Sequence, residues 1–184
     1  MKKKYLLLLL IPIFLIYLIL GLKNELVITH YDYYNAKIPA EFDNYKILQI
    51  SDLHLSSFYG DEKIVSEWVD MMNAENPDII CLTGDIVAVF ADEMLPYMDD
   101  LKRLKAKDGK YAILGNHDYG DYHRWRSEEE KEAHNERLKS LVRSAGFDLL
   151  LDEHRLLTKG GDTLAVVGLE DMGRLRNCQK KNLE

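Results

Sequence analysis

The chain contains 184 residues, enough for one globular domain with additional terminal segments. Its formal net charge of -7 and pI near 5.4 argue against a nucleic-acid-binding surface, because such surfaces neutralise phosphates with lysine and arginine. Its two cysteines, Cys81 and Cys178, are too few for a disulfide framework or a cysteine-rich zinc site. Cys81 lies in an apolar run and is interpreted as a small buried hydrophobic residue.

The N-terminus has the pattern of a membrane anchor. Three lysines at positions 2–4 precede an uncharged apolar run at 5–22, which as a helix would be about 27 Å long and nearly span a bilayer. No small-residue cleavage pattern follows, which favours a retained transmembrane anchor over a cleaved signal peptide and a secreted soluble form. The lysines predict that residues 1–4 are cytoplasmic and that the domain at 23–184 faces outward, with the lipid bilayer as a partner. No protein partner is predicted.

A strand is predicted within residues 25–45, which are rich in tyrosine and β-branched residues. Pro39 would lie in the connection that follows this strand. Tyr31, Tyr33 and Tyr34 fit either packing on a strand or a position at the membrane interface.

Beyond residue 45, predicted strands and helices alternate along the chain. This order indicates an α/β domain with a mainly parallel sheet. After Gly146 the pattern changes to short strands, with a turn at Gly160 and Gly161. The predicted strands lie at 45–50, 78–82, 109–114, 147–151, 155–158 and 163–167, and the predicted helices at 62–74, 92–104 and 128–145.

A short polar cluster directly follows each of the first three predicted strands. Because the carboxyl ends of parallel strands meet at one edge of a sheet, these side chains should lie together. Carboxylate, imidazole and amide groups suit Mn, Fe or Zn. Each cluster alone fits a loop, a helix cap or a turn, so the metal interpretation depends on all three falling at strand ends. The clusters are Asp52-Leu53-His54, Gly84-Asp85 and Gly115-Asn116-His117-Asp118.

The stretches ISDLHLSS, NPDIICLTGDIV and YAILGNHDYG resemble the calcineurin-like metallophosphoesterases. The predicted N-terminal anchor makes the chain most similar to the membrane-anchored bacterial branch of that family. The resemblance implies a metallophosphoesterase-like βαβαβ sandwich and a hydrolase that uses a water activated by two divalent metal ions. The substrate would be a phosphomonoester or phosphodiester, or the pyrophosphate of a lipid or cell-wall precursor.

The same resemblance implies roles for the polar residues. Asp52 and His54 would bind the first metal. Asp85 would bridge both metals, and Asn116 would bind the second. His117 would be the catalytic histidine, and the resemblance suggests that Asp118 is a second catalytic-site residue that orients it.

The family's later histidines, including a Gly-His-x-His motif, do not occur in this sequence. His123 lies in a polar loop and could face the cleft, whereas His134 and His154 are predicted to be solvent-exposed. We therefore expect an incomplete second metal site and second sheet, in a C-terminally truncated or frameshifted product. The alternative to a hydrolase is a catalytically inactive membrane-anchored remnant or binding module.

Overall fold

The structure, a computed structural model, describes residues 26–171. The chain divides into two units, 1–33 and 34–184, and residues 26–33 of the first unit form no helix or strand. The predicted transmembrane helix at 5–22 and the basic segment before it lie outside the described residues, as does Cys178. None of the helices described within 26–171 is both long and apolar enough to cross a bilayer.

The main sheet has four parallel strands arranged in chain order. Its central part is apolar on both faces, with Ile79, Ile80 and Leu82 buried, as strands covered on both sides require. This sheet confirms the predicted parallel α/β architecture. The strands are β1 at Ile47–Ile50, β2 at Ile79–Thr83, β3 at Gly109–Ile113 and β4 at Asp148–Leu149.

Three α-helices connect or flank these strands: α1 at Glu62–Ala74, α2 at Met98–Arg103 and α3 at Glu128–Ser144. Helix α1 buries Val65, Val69 and Met72, which recur at helical spacing. Helix α3 begins after Ser127, whose hydroxyl accepts a hydrogen bond from the Glu130 N–H. Helices α1 and α3 confirm the predicted segments.

The helix predicted at 92–104 takes a different form. Residues Ala91–Tyr97 form a 3₁₀ helix, and α-helical geometry begins only at Met98. Pro96 lies inside the 3₁₀ segment. Because proline has no N–H to donate, it disfavours an α-helical start at this point.

The strand predicted within 25–45 is wrong for the described residues. Residues 26–39 have no regular structure, and Ala40–Phe42 form one 3₁₀ turn that buries Phe42. Tyrosine and β-branched residues favour strands only where a neighbouring strand and a packed face are available. The side chains of Tyr31, Tyr33 and Tyr34 are exposed, so packing on a strand does not explain them.

A separate antiparallel hairpin contains β5 at Glu153–Lys159 and β6 at Asp162–Gly168. Gly160 and Gly161 form its turn at φ values of 58° and 96°, which glycine adopts without a steric cost. The predicted hairpin and its turn are confirmed, and both strands are longer than expected. Cys81, in β2, is half-buried, and burial raises the pKa of its thiol.

Candidate metal centre

Backbone hydrogen bonds join the loops that follow β1 and β2. The N–H groups of Asp52 and His54 donate to the carbonyl oxygens of Gly84 and Asp85 at 3.1 and 3.0 Å. The pairing of the two strands therefore continues past their carboxyl ends. As a result, the first two predicted polar clusters are held side by side.

The loops after β2 and β3 approach each other too closely for side chains at two positions. A Cβ on Gly84 would lie 2.4 Å from the Gly115 nitrogen, and a Cβ on Gly115 would lie 2.3 Å from Asp85 Oδ1. Only glycine fits at such distances, which explains the glycine in both motifs. The third polar cluster is thereby packed against the second.

Two histidines and one aspartate form a compact cluster at this edge. One ligand atom from each of His54, Asp85 and His117 lies within 4.8 Å of the other two. The His54 Nε2 atom is 3.9 Å from Asp85 Oδ2, and the backbone N–H of His117 donates to Asp85 Oδ1 at 3.0 Å. Two imidazole nitrogens and a carboxylate oxygen form a donor set that suits Mn, Fe or Zn. The residues therefore fit a divalent metal ion.

A cavity of about 230 Å³ lies beside this cluster. Asp52, Asp85 and Asn116 line it, so Asp85 belongs to both the cavity and the histidine cluster. All four predicted metal ligands thus lie at one edge of the sheet. The geometric cluster also includes His117, for which the family resemblance implied a catalytic role.

Three of these residues have backbone conformations that are unusual for residues other than glycine. Asp52, His54 and Asp85 have φ values of 54°, 40° and 52°. A residue with a side chain at such angles costs on the order of 1–3 kcal/mol, and such residues are concentrated at functional sites. The hydrogen bonds between the loops hold these conformations in place.

Three groups contact the His117 ring: the Ala88 carbonyl, the Tyr122 ring and the His54 ring, which lies edge-on with a centroid distance of 4.7 Å. The Nδ1 atom of His117 lies 2.8 Å from the Ala88 carbonyl oxygen, and Tyr122 stacks on the His117 ring at 4.1 Å with an interplanar angle of 12°. Because a carbonyl can only accept, Nδ1 must carry the proton of this hydrogen bond. The Tyr122 hydroxyl also accepts a hydrogen bond from Asn116 Nδ2 at 2.6 Å. This bond leaves the Asn116 amide oxygen for another partner.

Asp118 is fully buried and binds backbone amides. Its Oδ1 accepts hydrogen bonds from the Ile86 and Val87 N–H groups at 2.9 and 3.1 Å, and its Oδ2 accepts from Gly115 at 2.9 Å. Burial raises the pKa of this carboxyl to about 6, although the amide bonds partly offset it. These contacts connect the loops after β2 and β3, and none of them reaches the His117 ring.

The other histidines have varied environments. The prediction that His134 is exposed is wrong: it is buried on the inner face of α3, and its Nε2 accepts a hydrogen bond from the Ala91 N–H at 2.8 Å. The exposed His123 ring lies 4.9 Å from Phe90, centroid to centroid, and outside the cavity lining. His154 is exposed on β5, as predicted.

Sequence reasoning missed two residues near the site. Asp171 lines the cavity just after β6, and the rule that ligands follow strand ends could have identified it within GLEDM. Tyr122 contacts Asn116 and His117 from an exposed loop, and nothing in the sequence pattern indicated it.

Comparison of the sequence with known proteins identifies the family of this chain. Residues 45–182 match the model of the calcineurin-like phosphoesterases. The chain is 30% identical over 145 residues to the uncharacterized metallophosphoesterase YkuE of Bacillus subtilis (strain 168), covering 75% of this chain and 45% of that protein. It is 25% identical over 141 residues to the transmembrane protein with metallophosphoesterase domain of Danio rerio, covering 74% and 29%.

A further relative has a named substrate. Over 104 residues the chain is 38% identical to the UDP-2,3-diacylglucosamine pyrophosphatase LpxG of Chlamydia trachomatis serovar D, covering 54% of this chain and 30% of that protein. The chain spans less than half the length of these relatives.

A parallel α/β sheet with aspartate and histidine side chains clustered at its carboxyl edge is typical of α/β proteins that bind a ligand or metal ion at the strand ends. Within that class, the chain belongs to the calcineurin-like phosphoesterase family.

Proposed function

We propose that the whole protein hydrolyses phosphoester bonds with two divalent metal ions held at the carboxyl edge of β1, β2 and β3. The position of Asp85, shared by the histidine cluster and the cavity, carries this proposal. A carboxylate has two oxygens and can contact two cations at once. Asp85 is therefore suited to be the bridging ligand.

The remaining ligands would divide between the two ions. Asp52 and His54 follow β1 and would hold the first, and Asn116 follows β3 and would hold the second through its amide oxygen. The hydrogen bond from Asn116 Nδ2 to the Tyr122 hydroxyl supports this orientation of the amide. Ions bound there would supply Lewis-acid catalysis and activation of water.

His117 would act as the proton donor to the leaving oxygen. With Nδ1–H directed at the Ala88 carbonyl, Nε2 is the ring nitrogen left for chemistry. In the imidazolium form, Nε2–H can donate a proton or stabilise negative charge on the phosphoryl group. Asp118 would support the site by holding the two loops together.

Two substrate classes remain in the proposal. A phosphomonoester or phosphodiester follows from the family. The pyrophosphate bond of a lipid-linked precursor is the second candidate, favoured by the identity to the Chlamydia pyrophosphatase.

A membrane location, with residues 5–22 as the anchor, the N-terminus in the cytoplasm and the domain outside, fits the lysines at positions 2–4. Retention of the chain in carbonate-washed membranes would test the anchor.

The activity can be tested with bis(p-nitrophenyl) phosphate, p-nitrophenyl phosphate and UDP-diacylglucosamine, each with and without Mn²⁺. We expect hydrolysis that requires Mn²⁺ and is lost in Asp85→Asn. Asp78→Asn, which changes a buried carboxylate at the opposite edge of the sheet, should retain it. Turnover that does not need metal, or that survives Asp85→Asn, would contradict the proposal. A folded wild-type chain without turnover would favour the inactive binding module.

A further inference from the structure

Six consecutive N–H groups in the loop after β2 donate to buried side chains. This loop, residues 86–91, connects the Gly84-Asp85 motif to the 3₁₀ helix at Ala91–Tyr97. Three acceptor side chains, Asp118, Glu93 and His134, divide the six donors between them. Ile86 and Val87 donate to Asp118, Ala88, Val89 and Phe90 donate to Glu93, and Ala91 donates to His134.

Glu93 makes more hydrogen bonds than helix capping requires. Its side chain is only 4% exposed, and its carboxylate accepts from Ala88, Val89 and Phe90 at 2.7, 2.9 and 2.8 Å. A glutamate at the third position of a helix usually accepts only from the capping residue, which here is Phe90. The bonds to Ala88 and Val89 extend into the loop, and burial of a carboxylate is costly unless such bonds form.

The peptide unit between Ala88 and Val89 links Glu93 to the metal centre. Its N–H, on Val89, donates to Glu93 Oε1 at 2.9 Å, and its C=O, on Ala88, lies 2.8 Å from His117 Nδ1. A peptide unit is planar, so fixing one end also fixes the other. A charged acceptor on the N–H polarises the unit and strengthens the carbonyl as an acceptor.

We propose that Glu93 is a positioning residue for His117. Through the Ala88–Val89 peptide it fixes the His117 ring orientation and selects the tautomer with a proton on Nδ1. This leaves Nε2 directed to chemistry. The inference rests on the proposed function for the role given to His117, whereas the hydrogen-bonded chain from Glu93 to the ring is independent of any activity.

Ring nitrogen NMR can test this directly. Long-range ¹H–¹⁵N spectra of the ¹⁵N-histidine-labelled, metal-free 184-residue chain report the tautomer of each ring at about pH 8.5, where imidazoles are generally neutral. In the wild type we expect His117 to carry its proton on Nδ1. In Glu93→Gln we expect a mixture of tautomers, because the amide offers one acceptor oxygen where the carboxylate has two. His154, exposed on the hairpin, should not change.

Asp78→Asn provides the matched control. Asp78 is also a buried carboxylate that accepts a backbone N–H, from Lys46 at 2.6 Å, but it lies at the opposite edge of the sheet. A purely structural role for Glu93 would lower the melting temperature in both variants without altering His117. We expect both variants to lose stability and only Glu93→Gln to change the His117 tautomer.

Three results would overturn the proposal. They are a wild-type His117 with its proton on Nε2, a His117 tautomer that is the same in Glu93→Gln as in the wild type, and a His117 tautomer that changes equally in Asp78→Asn. If Glu93→Gln does not fold, amide exchange in the wild type decides. Protection of the Ala88, Val89 and Phe90 amides comparable to that of β2 supports the proposal, and exchange at the rate of an open loop overturns it. The two proposals can fail separately. If Glu93→Gln changes the His117 tautomer but the wild type shows no Mn²⁺-dependent turnover, the positioning role of Glu93 is supported and the proposed function is refuted.

Discussion

The two edges of the parallel sheet treat their carboxylates in opposite ways. At the amino edge, Asp78 accepts a hydrogen bond from the Lys46 backbone N–H at 2.6 Å. It also forms an ion pair with the Lys107 ammonium at 2.8 Å. At the carboxyl edge, no lysine or arginine within residues 26–171 forms an ion pair with Asp52 or Asp85. The amino edge neutralises its negative charge inside the protein, whereas the carboxyl edge leaves that charge for a cation.

The pKa values of one buried carboxyl at each edge move in opposite directions. Burial opposes ionisation of Asp78, but hydrogen bonds from Lys107 and Lys46 outweigh it and lower the pKa of this carboxyl. Burial raises the pKa of Asp118 to about 6. The amino edge therefore offsets the burial of its carboxylate with a lysine, whereas at the carboxyl edge backbone amides offset the burial of Asp118 only in part.

The largest expected effect is on metal affinity at the carboxyl edge. Asp85→Asn should weaken Mn²⁺ binding by more than about 100-fold, beyond the range for groups that only orient a ligand. Titration followed by Mn²⁺ electron paramagnetic resonance would measure it. Asp78→Asn should leave the affinity unchanged. Equal losses of Mn²⁺ affinity in the two variants would contradict the proposed difference between the two edges.

A second test uses the contact between the loops. Gly115→Ala places a Cβ 2.6 Å from the Asp85 backbone nitrogen and 2.3 Å from Asp85 Oδ1, so the loops must separate at a cost of about 1–3 kcal/mol in the free energy of unfolding. Mn²⁺ affinity should fall with it. The control is Gly161→Ala, which meets no atom within 4 Å at a φ of 96°. It should be destabilising through backbone strain alone and keep its Mn²⁺ affinity. Urea unfolding and Mn²⁺ titration of both variants would measure these effects, and normal metal binding by Gly115→Ala would contradict the packing argument.

Tyr122→Phe should have a smaller effect on the same edge. The variant keeps the ring that stacks on His117 but loses the hydroxyl that accepts from Asn116. We expect roughly a 10-fold loss of Mn²⁺ affinity, at the lower end for groups that orient a ligand. Tyr59→Phe is the control, since Tyr59 is also exposed and stacks on an aromatic ring, that of Tyr97. A Tyr122→Phe affinity as high as that of Tyr59→Phe would refute the role.

The smallest expected effect concerns acid stability at the amino edge. Because the folded pKa of Asp78 is lowered, its stabilisation is present above the unfolded pKa of 3.8 and is lost as pH falls through the folded value. Because the Lys107 side chain of this ion pair is 53% exposed, solvent screens the pair, and we expect a contribution below about 1 kcal/mol. Urea midpoints measured from neutral to acidic pH should fall less steeply for Asp78→Asn than for the wild type. Parallel curves would show that the amino edge gains nothing from this carboxylate.

The sequence predicts the parallel sheet well because its strands are short runs rich in apolar residues that end in polar clusters. The runs at 47–50, 79–83 and 109–113 end where the polar clusters begin, so the edge that carries the site was predictable. The strand expected within 25–45 failed because tyrosine and valine cannot form a strand without a neighbour. Pro96 shortened α2 because local chemistry overrides a helical hydrophobic pattern.

The supporting residues of the site were harder to predict. His134 lies in a charged helix and was predicted to be exposed, yet it turns inward to accept a backbone N–H group. Glu93, for which the sequence pattern predicted no role, is also buried and accepts backbone N–H groups. Tyr122 acts through a loop with no periodicity. Such roles depend on where loops meet in space, and neither spacing nor composition encodes this.

The left-handed backbones of Asp52, His54 and Asp85 make stability and metal binding compete at these three positions. Glycine at any of these positions would relieve local strain on the order of 1 kcal/mol while deleting a proposed ligand. A selection for heat resistance alone would therefore tend to replace these side chains. Libraries screened for thermostability should enrich glycine there, and the enriched clones should be the ones that no longer bind metal.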